Sequence, residues 1–158
     1  MKKVWILVAS RAKARIFSYV TQTAPVQAEF EMENPSGHLR ERDLVTDRPG
    51  RATRFRFSQR NPLPPKHSAT EHAFDQFAAT VAHRLADLKN RGKFDNLVLV
   101  AEPHALGKFR SAVAAHKNLS VVSEVPSDLL NSPDRAIDGH LKQRIPRHAF
   151  SNSQATRL

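Results

Sequence analysis

The chain of 158 residues contains no cysteine, only five glycines and no long hydrophobic run. The absence of cysteine excludes a disulfide framework, a thiolate metal site and a thiol nucleophile. The five glycines never form a glycine-rich run, which excludes the phosphate cradles of P-loop and dinucleotide-binding folds. The apolar run Val4 to Ala9 is too short for a membrane span or a signal-peptide core, so we expect a cytoplasmic protein.

Acidic residues are outnumbered by basic ones, 15 against 25, which gives a formal net charge of +10. A charge of this sign and size favours an anionic partner such as nucleic acid. The charge is also segregated along the chain. Residues 1–28 carry five cations and no acid, residues 135–158 carry five cations against one acid, and residues 29–47 carry six acids against two arginines.

Residues 48–66, here called the basic segment, hold six positive charges and no acid. Guanidinium groups pair with phosphates and aromatic rings stack on bases, so this composition predicts contact with RNA or another polyanion. The candidate nucleic-acid contacts are Arg48, Arg51, Arg54, Phe55, Arg56, Phe57, Arg60 and Lys66, and the candidate loop-organising residues are Asp43, Asp47 and Gly50. The alternative interpretation is a solvated connector whose charges keep the protein soluble.

Hydrophobic periodicity predicts the secondary structure. Strands are expected at 4–9, 14–20, 26–32, 96–101 and 119–125, and helices at 68–90, 106–116 and 133–145. Residues 26–32 alternate between apolar and polar. Ser68-Ala69-Thr70-Glu71 fits a capping box at the start of the first helix, whose apolar face includes Phe74, Phe77 and Leu85 and which stops at Gly92. The order β-β-β-α-β-α-β-α predicts a single α/β domain over 1–146 with a mixed sheet, a long basic loop at 34–67 and a flexible tail at 147–158. Such an order fits a ribonuclease-H-like fold.

Catalytic residues are harder to find. A two-metal nuclease of the ribonuclease-H type needs a carboxylate on its first strand, and Val4 to Ala9 has none. None of the eight histidines is four residues from another, so we predict no metal site and no cofactor. Asp43 and Asp47 are either an acid pair or, as we favour, salt-bridge partners of neighbouring arginines. Glu102-Pro103-His104 follows a buried strand, and we interpret it as a turn into the next helix.

Four segments resemble the bacterial host-attachment protein family: VWILVASRAKARIF, DLVTDRPGR, NLVLVAEPHALGKFR and EVPSDLL. The resemblance covers residues 3–145, and DRPGR and ALGKFR are its more specific parts. That family looks like the central, ribonuclease-H-like domain of archaeo-eukaryotic peptide-chain release factors. In that domain a long loop carries a Gly-Gly-Gln motif that promotes peptidyl-tRNA hydrolysis, and the basic segment occupies the matching position.

The motif itself is missing from this chain. The only glutamine in the basic segment, Gln59, follows Ser58 rather than a glycine pair. The resemblance therefore implies binding to ribosomal RNA or tRNA more than hydrolysis, and we expect a non-catalytic RNA-binding module. The alternatives are a peptidyl-tRNA hydrolase that uses Gln59 or the Asp43/Asp47 pair, and an attachment or regulatory factor that acts on a protein partner.

Overall fold

The structure is a computed structural model that describes residues 2–19, 21, 23–37 and 68–150. These residues form five strands and three α-helices in the predicted order. The strands are β1 (Val4–Ala9), β2 (Lys13–Tyr19), β3 (Gln27–Glu33), β4 (Asn96–Ala101) and β5 (Val121–Pro126), and the helices are α1 (Ala69–Asn90), α2 (Pro103–Ala114) and α3 (Asp134–Arg144). The prediction of a single α/β domain with a mixed sheet is confirmed.

The five strands lie in the order β3-β2-β1-β4-β5. β2 runs antiparallel to both of its neighbours, whereas β1, β4 and β5 run parallel to one another. β1 is central: Val4 pairs with Tyr19 on one side and with Asn96 on the other. All six residues of β1 are buried because helices cover both faces of the sheet, which explains why the sequence there is continuously apolar.

Two apolar cores lie on opposite faces of the sheet. Alternate residues of β1 point to opposite faces, so Trp5 and Leu7 belong to one core and Val4 and Ile6 to the other. The first core packs α1 and α2 against the sheet. The second core packs α3 and the residues that follow it, including Phe150, against the other face.

Helix α1 begins and ends where the sequence predicts. The Ser68 hydroxyl accepts a hydrogen bond from the backbone N–H of Glu71 at 3.2 Å, which satisfies one of the unpaired donors of the first turn. Gly92 follows the helix with a φ of +74°, a conformation that costs glycine little. The predicted inward face is buried and includes Phe74, Phe77 and Leu85.

Two predicted boundaries need correction. Helix α2 begins at Pro103 instead of residue 106, because the Glu102 carboxylate caps the first turn and proline is favourable there. The predicted tail does not begin at residue 147, since Arg147–Phe150 form a 3₁₀ turn with Phe150 buried. The Asn96 side chain donates to the backbone oxygen of Ala149 at 2.6 Å, which fixes this turn to the sheet. Residues 151–158 lie outside the described residues.

The outer strands of the sheet differ in character. β5 is half-buried, whereas β3 is exposed along most of its length, including Glu29, Glu31 and Glu33. The glutamates at 31 and 33 flank Met32, which turns inward with Phe30 against the first core. β3 therefore presents an acidic outer strand in a protein whose net charge is positive.

Candidate functional site at the carboxyl edge of the sheet

The parallel strands β1, β4 and β5 end together at one edge of the sheet, with Ala9, Ala101 and Pro126 as their last residues. Open α/β sheets bind ligands preferentially outside this carboxyl edge. In this protein β1 and β4 are neighbours in the sheet, but β1 leads into the turn to β2 whereas β4 leads into α2. The ends of these two strands are therefore the place where a fold of this kind takes a ligand.

The turn that follows β3 is fixed to this edge. Asn34 is only 7% exposed, and its side-chain amide donates to the backbone oxygen of Arg11 at 2.8 Å. Its backbone N–H donates to the oxygen of Ala12, also at 2.8 Å. Gly37 packs so closely that a Cβ atom there would lie 2.4 Å from the Cα of Ala12. The last described residue before the basic segment therefore lies against the β1–β2 turn.

The chain re-enters the described structure at the same edge. Ser68 caps α1, and Glu71 in the first turn of that helix contacts His104 in the first turn of α2. Since α2 starts directly after β4, the first turn of α1 lies beside the carboxyl end of β4. The last described residue before the stretch 38–67, Gly37, and the first one after it, Ser68, are thus both at the carboxyl edge.

The candidate residues predicted from the sequence lie in the part of the chain that the structure does not describe. These are Asp43, Asp47, Arg48, Gly50, Arg51, Arg54, Phe55, Arg56, Phe57, Arg60 and Lys66. Their roles as nucleic-acid contacts or loop-organising residues stay predictions. What the structure adds is the place at which this part of the chain is attached.

A network of charged side chains joins α1 to α2 at this edge. The two oxygens of the Glu71 carboxylate contact His104 Nε2 at 3.1 Å and Lys108 Nζ at 2.9 Å. Lys108 also contacts Asp75 at 2.7 Å. These hydrogen bonds, that from Lys108 first and that from His104 second, lower the pKa of Glu71. The hydrogen bonds that Lys108 donates to Asp75 and Glu71 raise the pKa of Lys108, so Glu71 and Lys108 both stay ionised at neutral pH.

Sequence reasoning missed this network. A signal was present, because Glu71 and Asp75, and likewise His104 and Lys108, stand four residues apart and so share a helix face. The sequence assigned Glu71 to a capping box, but its carboxylate contacts α2 instead. Glu102 accepts from the backbone N–H groups of His104 and Ala105, at 3.1 and 2.7 Å, which agrees with the interpretation of this stretch as a turn into a helix.

A cleft of about 280 Å³ lies beside the turn after β3. One wall is formed by Met32 to Ser36 and the other by the first half of α1, including Phe77 and Thr80. Its lining is part apolar and part polar, which suits an organic side chain or a base more than a bare ion. The cleft adjoins Gly37, the last described residue before the stretch 38–67 that includes the basic segment.

A family model described as "Protein required for attachment to host cells" matches residues 5–141 of the chain. The chain belongs to this family. The match begins in β1 and ends within α3, and so includes both helix starts at the carboxyl edge. No curated protein matches the sequence. Among solved structures, the fold is similar to one titled "Archaeal protein", with 11% identity, a TM-score of 0.40 and coverage of 89% of this chain. The chain spans 36% of the length of that protein.

Among the described residues 2–19, 21, 23–37 and 68–150, the chain shows no group of three or more histidine, aspartate or glutamate side chains that could hold a metal ion. The rings of His83 and His116 have centroids 6.0 Å apart. Across the described helices, none has the length and the apolar character needed to cross a bilayer.

Proposed function

We propose that this host-attachment protein is a non-catalytic RNA-binding module with a ribonuclease-H-like fold, similar to the central domain of release factors. The basic segment contacts the phosphates of ribosomal RNA or tRNA, and Phe55 or Phe57 stacks on an exposed base. We place this activity in the cytoplasm. The proposal leaves out peptidyl-tRNA hydrolysis because the chain contains no Gly-Gly-Gln sequence.

The observation that carries the proposal is the place where the described chain stops before residues 38–67, which include the basic segment, and resumes after them. Gly37 and Ser68, the last described residue before this stretch and the first after it, both lie at the carboxyl edge of the sheet. We infer that the six cations of the basic segment act near this edge, where open α/β sheets take their ligands. The strand order, with β2 antiparallel to the other strands, supports the proposed fold.

The ion pairs at this edge are compatible with a segment that acts through its own arginines. Lys108, a half-buried cation between α1 and α2, is already paired with Glu71 and Asp75. It therefore adds little to the positive potential that a polyanion would meet. The basic segment holds six positive charges and no acid in nineteen residues, so we infer that it supplies most of the attraction.

The test is direct binding of a fluorescent single-stranded RNA, followed by anisotropy at several salt concentrations. The double variant Arg51→Glu/Arg54→Glu should weaken binding and flatten the salt dependence by about one unit of slope for each lost phosphate contact. The matched control is Arg91→Glu/Lys117→Glu, which changes the net charge equally at exposed positions near the far ends of α1 and α2. Equal losses of RNA affinity in both double variants would show that binding depends on net charge alone and not on the basic segment, and would refute the proposal.

A second measurement addresses the cellular partner. Lysate is sedimented through sucrose gradients at low and high salt. Comigration with ribosomes or ribosomal subunits at low salt, and release at high salt, is expected from phosphate contacts. The Arg51→Glu/Arg54→Glu variant should remain at the top of both gradients.

The description of the family favours a second candidate function, attachment through a protein partner. Attachment predicts that the protein is found outside the cytoplasm, so cell fractionation separates the two candidates. Its binding to a partner should also be insensitive to the Arg51→Glu/Arg54→Glu change if the basic segment acts only on RNA.

A further inference from the structure

A cationic pocket lies at the amino edge of the sheet, the edge opposite to that of Gly37 and Ser68. The pocket has a volume of about 170 Å³ and opens between the end of β2, the end of α3 and the 3₁₀ turn. It is lined by Tyr19, Leu141, Lys142, Ile145, Arg147 and Phe150. The rings of Tyr19 and Phe150 meet with centroids 5.3 Å apart and form its apolar wall.

Two cations, Lys142 and Arg147, line this pocket, and one carboxylate, that of Asp138, contacts the first of them. Lys142 Nζ is 2.9 Å from Asp138 Oδ2, so its charge is largely balanced. Arg147, in contrast, makes no ion pair with any residue of the described ranges, and it is exposed. The pocket therefore keeps an excess positive charge, supplied by a guanidinium group.

Lys2, near the start of the chain, lies beside this pocket. Its backbone N–H donates to the backbone oxygen of Phe150 at 3.4 Å. This contact brings the beginning of β1 next to the 3₁₀ turn that carries Arg147.

The size and the lining of the pocket restrict its ligand. A guanidinium fork with an ammonium group nearby matches the oxygens of a phosphate, which accept charge-assisted hydrogen bonds from both. Burial, and next the charge of Asp138, raise the pKa of Tyr19 to about 12, so its phenol is neutral at physiological pH and adds no negative charge to the pocket. The adjoining aromatic wall suits a phosphate that carries an organic group.

We propose that this pocket is a phosphate-ester site in which Arg147 and Lys142 bind the phosphate and Tyr19 and Phe150 contact the attached group. The residues assigned to this site include none from the basic segment, and the site does not depend on the function proposed above. The ester comes either from a free mononucleotide or from an RNA backbone, and the two sources are distinguished by experiment.

The experiment follows backbone amide shifts of the full-length protein by nuclear magnetic resonance. Inorganic phosphate and adenosine 5′-monophosphate are titrated against sodium chloride of equal ionic strength. We expect saturable shifts at Lys142 and Arg147, with tighter binding of the nucleotide. Arg147→Gln should weaken binding about tenfold or more, the loss expected for a hydrogen bond between charged groups. The matched control Arg135→Gln, at an exposed position at the start of α3, should change it less than twofold.

The source of the phosphate is tested in the background of Arg51→Glu/Arg54→Glu. Residual binding of a short RNA that Arg147→Gln abolishes would assign the site to an RNA backbone, and mononucleotide binding alone would assign it to a free ester. Either result supports the site. Shifts that do not saturate, or equal losses for Arg147→Gln and Arg135→Gln, would overturn it. Lys142→Gln serves as a second variant, and urea unfolding confirms that each variant is folded.

Discussion

The carboxylate of Glu71 lies 3.1 Å from the imidazole of His104, although 33 residues separate them in the chain. The contact joins the first turn of α1 to the first turn of α2, and Lys108 completes the connection from the second helix. Helix starts carry unpaired N–H groups and a partial positive charge, so a carboxylate at this place is favourable for both helices. The network therefore holds together the starts of α1 and α2 at the carboxyl edge, next to Ser68, where the described chain resumes.

The first prediction concerns acid stability. Because hydrogen bonds from Lys108 and His104 hold the pKa of Glu71 below its usual 4.5, the folded state favours the carboxylate. The resulting stability is present above pH 4.5 and is lost as the pH falls through the lowered value. Glu71→Gln should therefore be less stable than the unaltered protein at pH 7, and the difference should shrink below pH 4.5. Urea unfolding at pH 7, 5, 4 and 3 measures it.

Glu29→Gln, at an exposed position on β3, is the control for this series and should change stability little at any pH. A Glu71→Gln difference that is the same at pH 3 and pH 7 would contradict the assignment of its stability to the ionised carboxylate.

The second prediction concerns the core between α1 and α2. Phe109 is 1% exposed and meets the rings of Phe74 and Phe77 edge to face, at 5.9 and 6.2 Å. Phe109→Ala should cost about 3–5 kcal/mol of the free energy of unfolding, since it leaves a cavity among aromatic rings. Val121→Ala, at an exposed position on β5, should cost less than about 1 kcal/mol. Similar losses at the two positions would place Phe109 outside the core.

The third prediction concerns two glycines with opposite environments. Gly37→Ala should destabilise the protein, because the new methyl group would meet the backbone of the β1–β2 turn at 2.4 Å. Gly139→Ala should stabilise it by about 1 kcal/mol, since this glycine lies within α3 with no atom near the added carbon. Thermal unfolding of the two variants should shift the melting temperature in opposite directions. A rise with Gly37→Ala would show that the turn after β3 is not fixed as described.

The fourth prediction concerns the C-terminal boundary. Deletion of residues 147–158 removes the buried side chains of Ala149 and Phe150 and the contact from Asn96. We expect a loss of about 3 kcal/mol or more relative to deletion of residues 151–158 alone. Urea unfolding of the two truncated proteins gives the comparison. Equal stability of both would restore residue 146 as the end of the domain.

Local patterns predicted much of this fold. The alternation in β3, the cap at Ser68 and the stop at Gly92 each depend on neighbouring residues, and the structure confirms them. The contact between Glu71 and His104 could not be predicted from local patterns, because it depends on how two helices pack against each other. Phe150 was assigned to a tail because its neighbours are polar, although its burial depends on Tyr19 in a distant strand.

The chemistry of the site divides along the same line. The composition of the basic segment predicts a polyanion partner by itself, since charge and aromatic content are local properties. The pocket between Tyr19 and Arg147 left no such signal in the sequence. Its residues come from β2, α3 and the 3₁₀ turn, and only the fold brings them together.

The exposed glutamates of β3 bear on how copies of this protein meet. An outer strand offers unpaired backbone groups to any strand that approaches, which is a common route to aggregation. Glu31 is balanced by ion pairs with Lys13 and Arg15 of β2. Two copies aligned through β3 would still bring the exposed like charges of Glu29 and Glu33 together. In a protein with a net charge of +10, two exposed negative charges thus lie where self-association would otherwise begin.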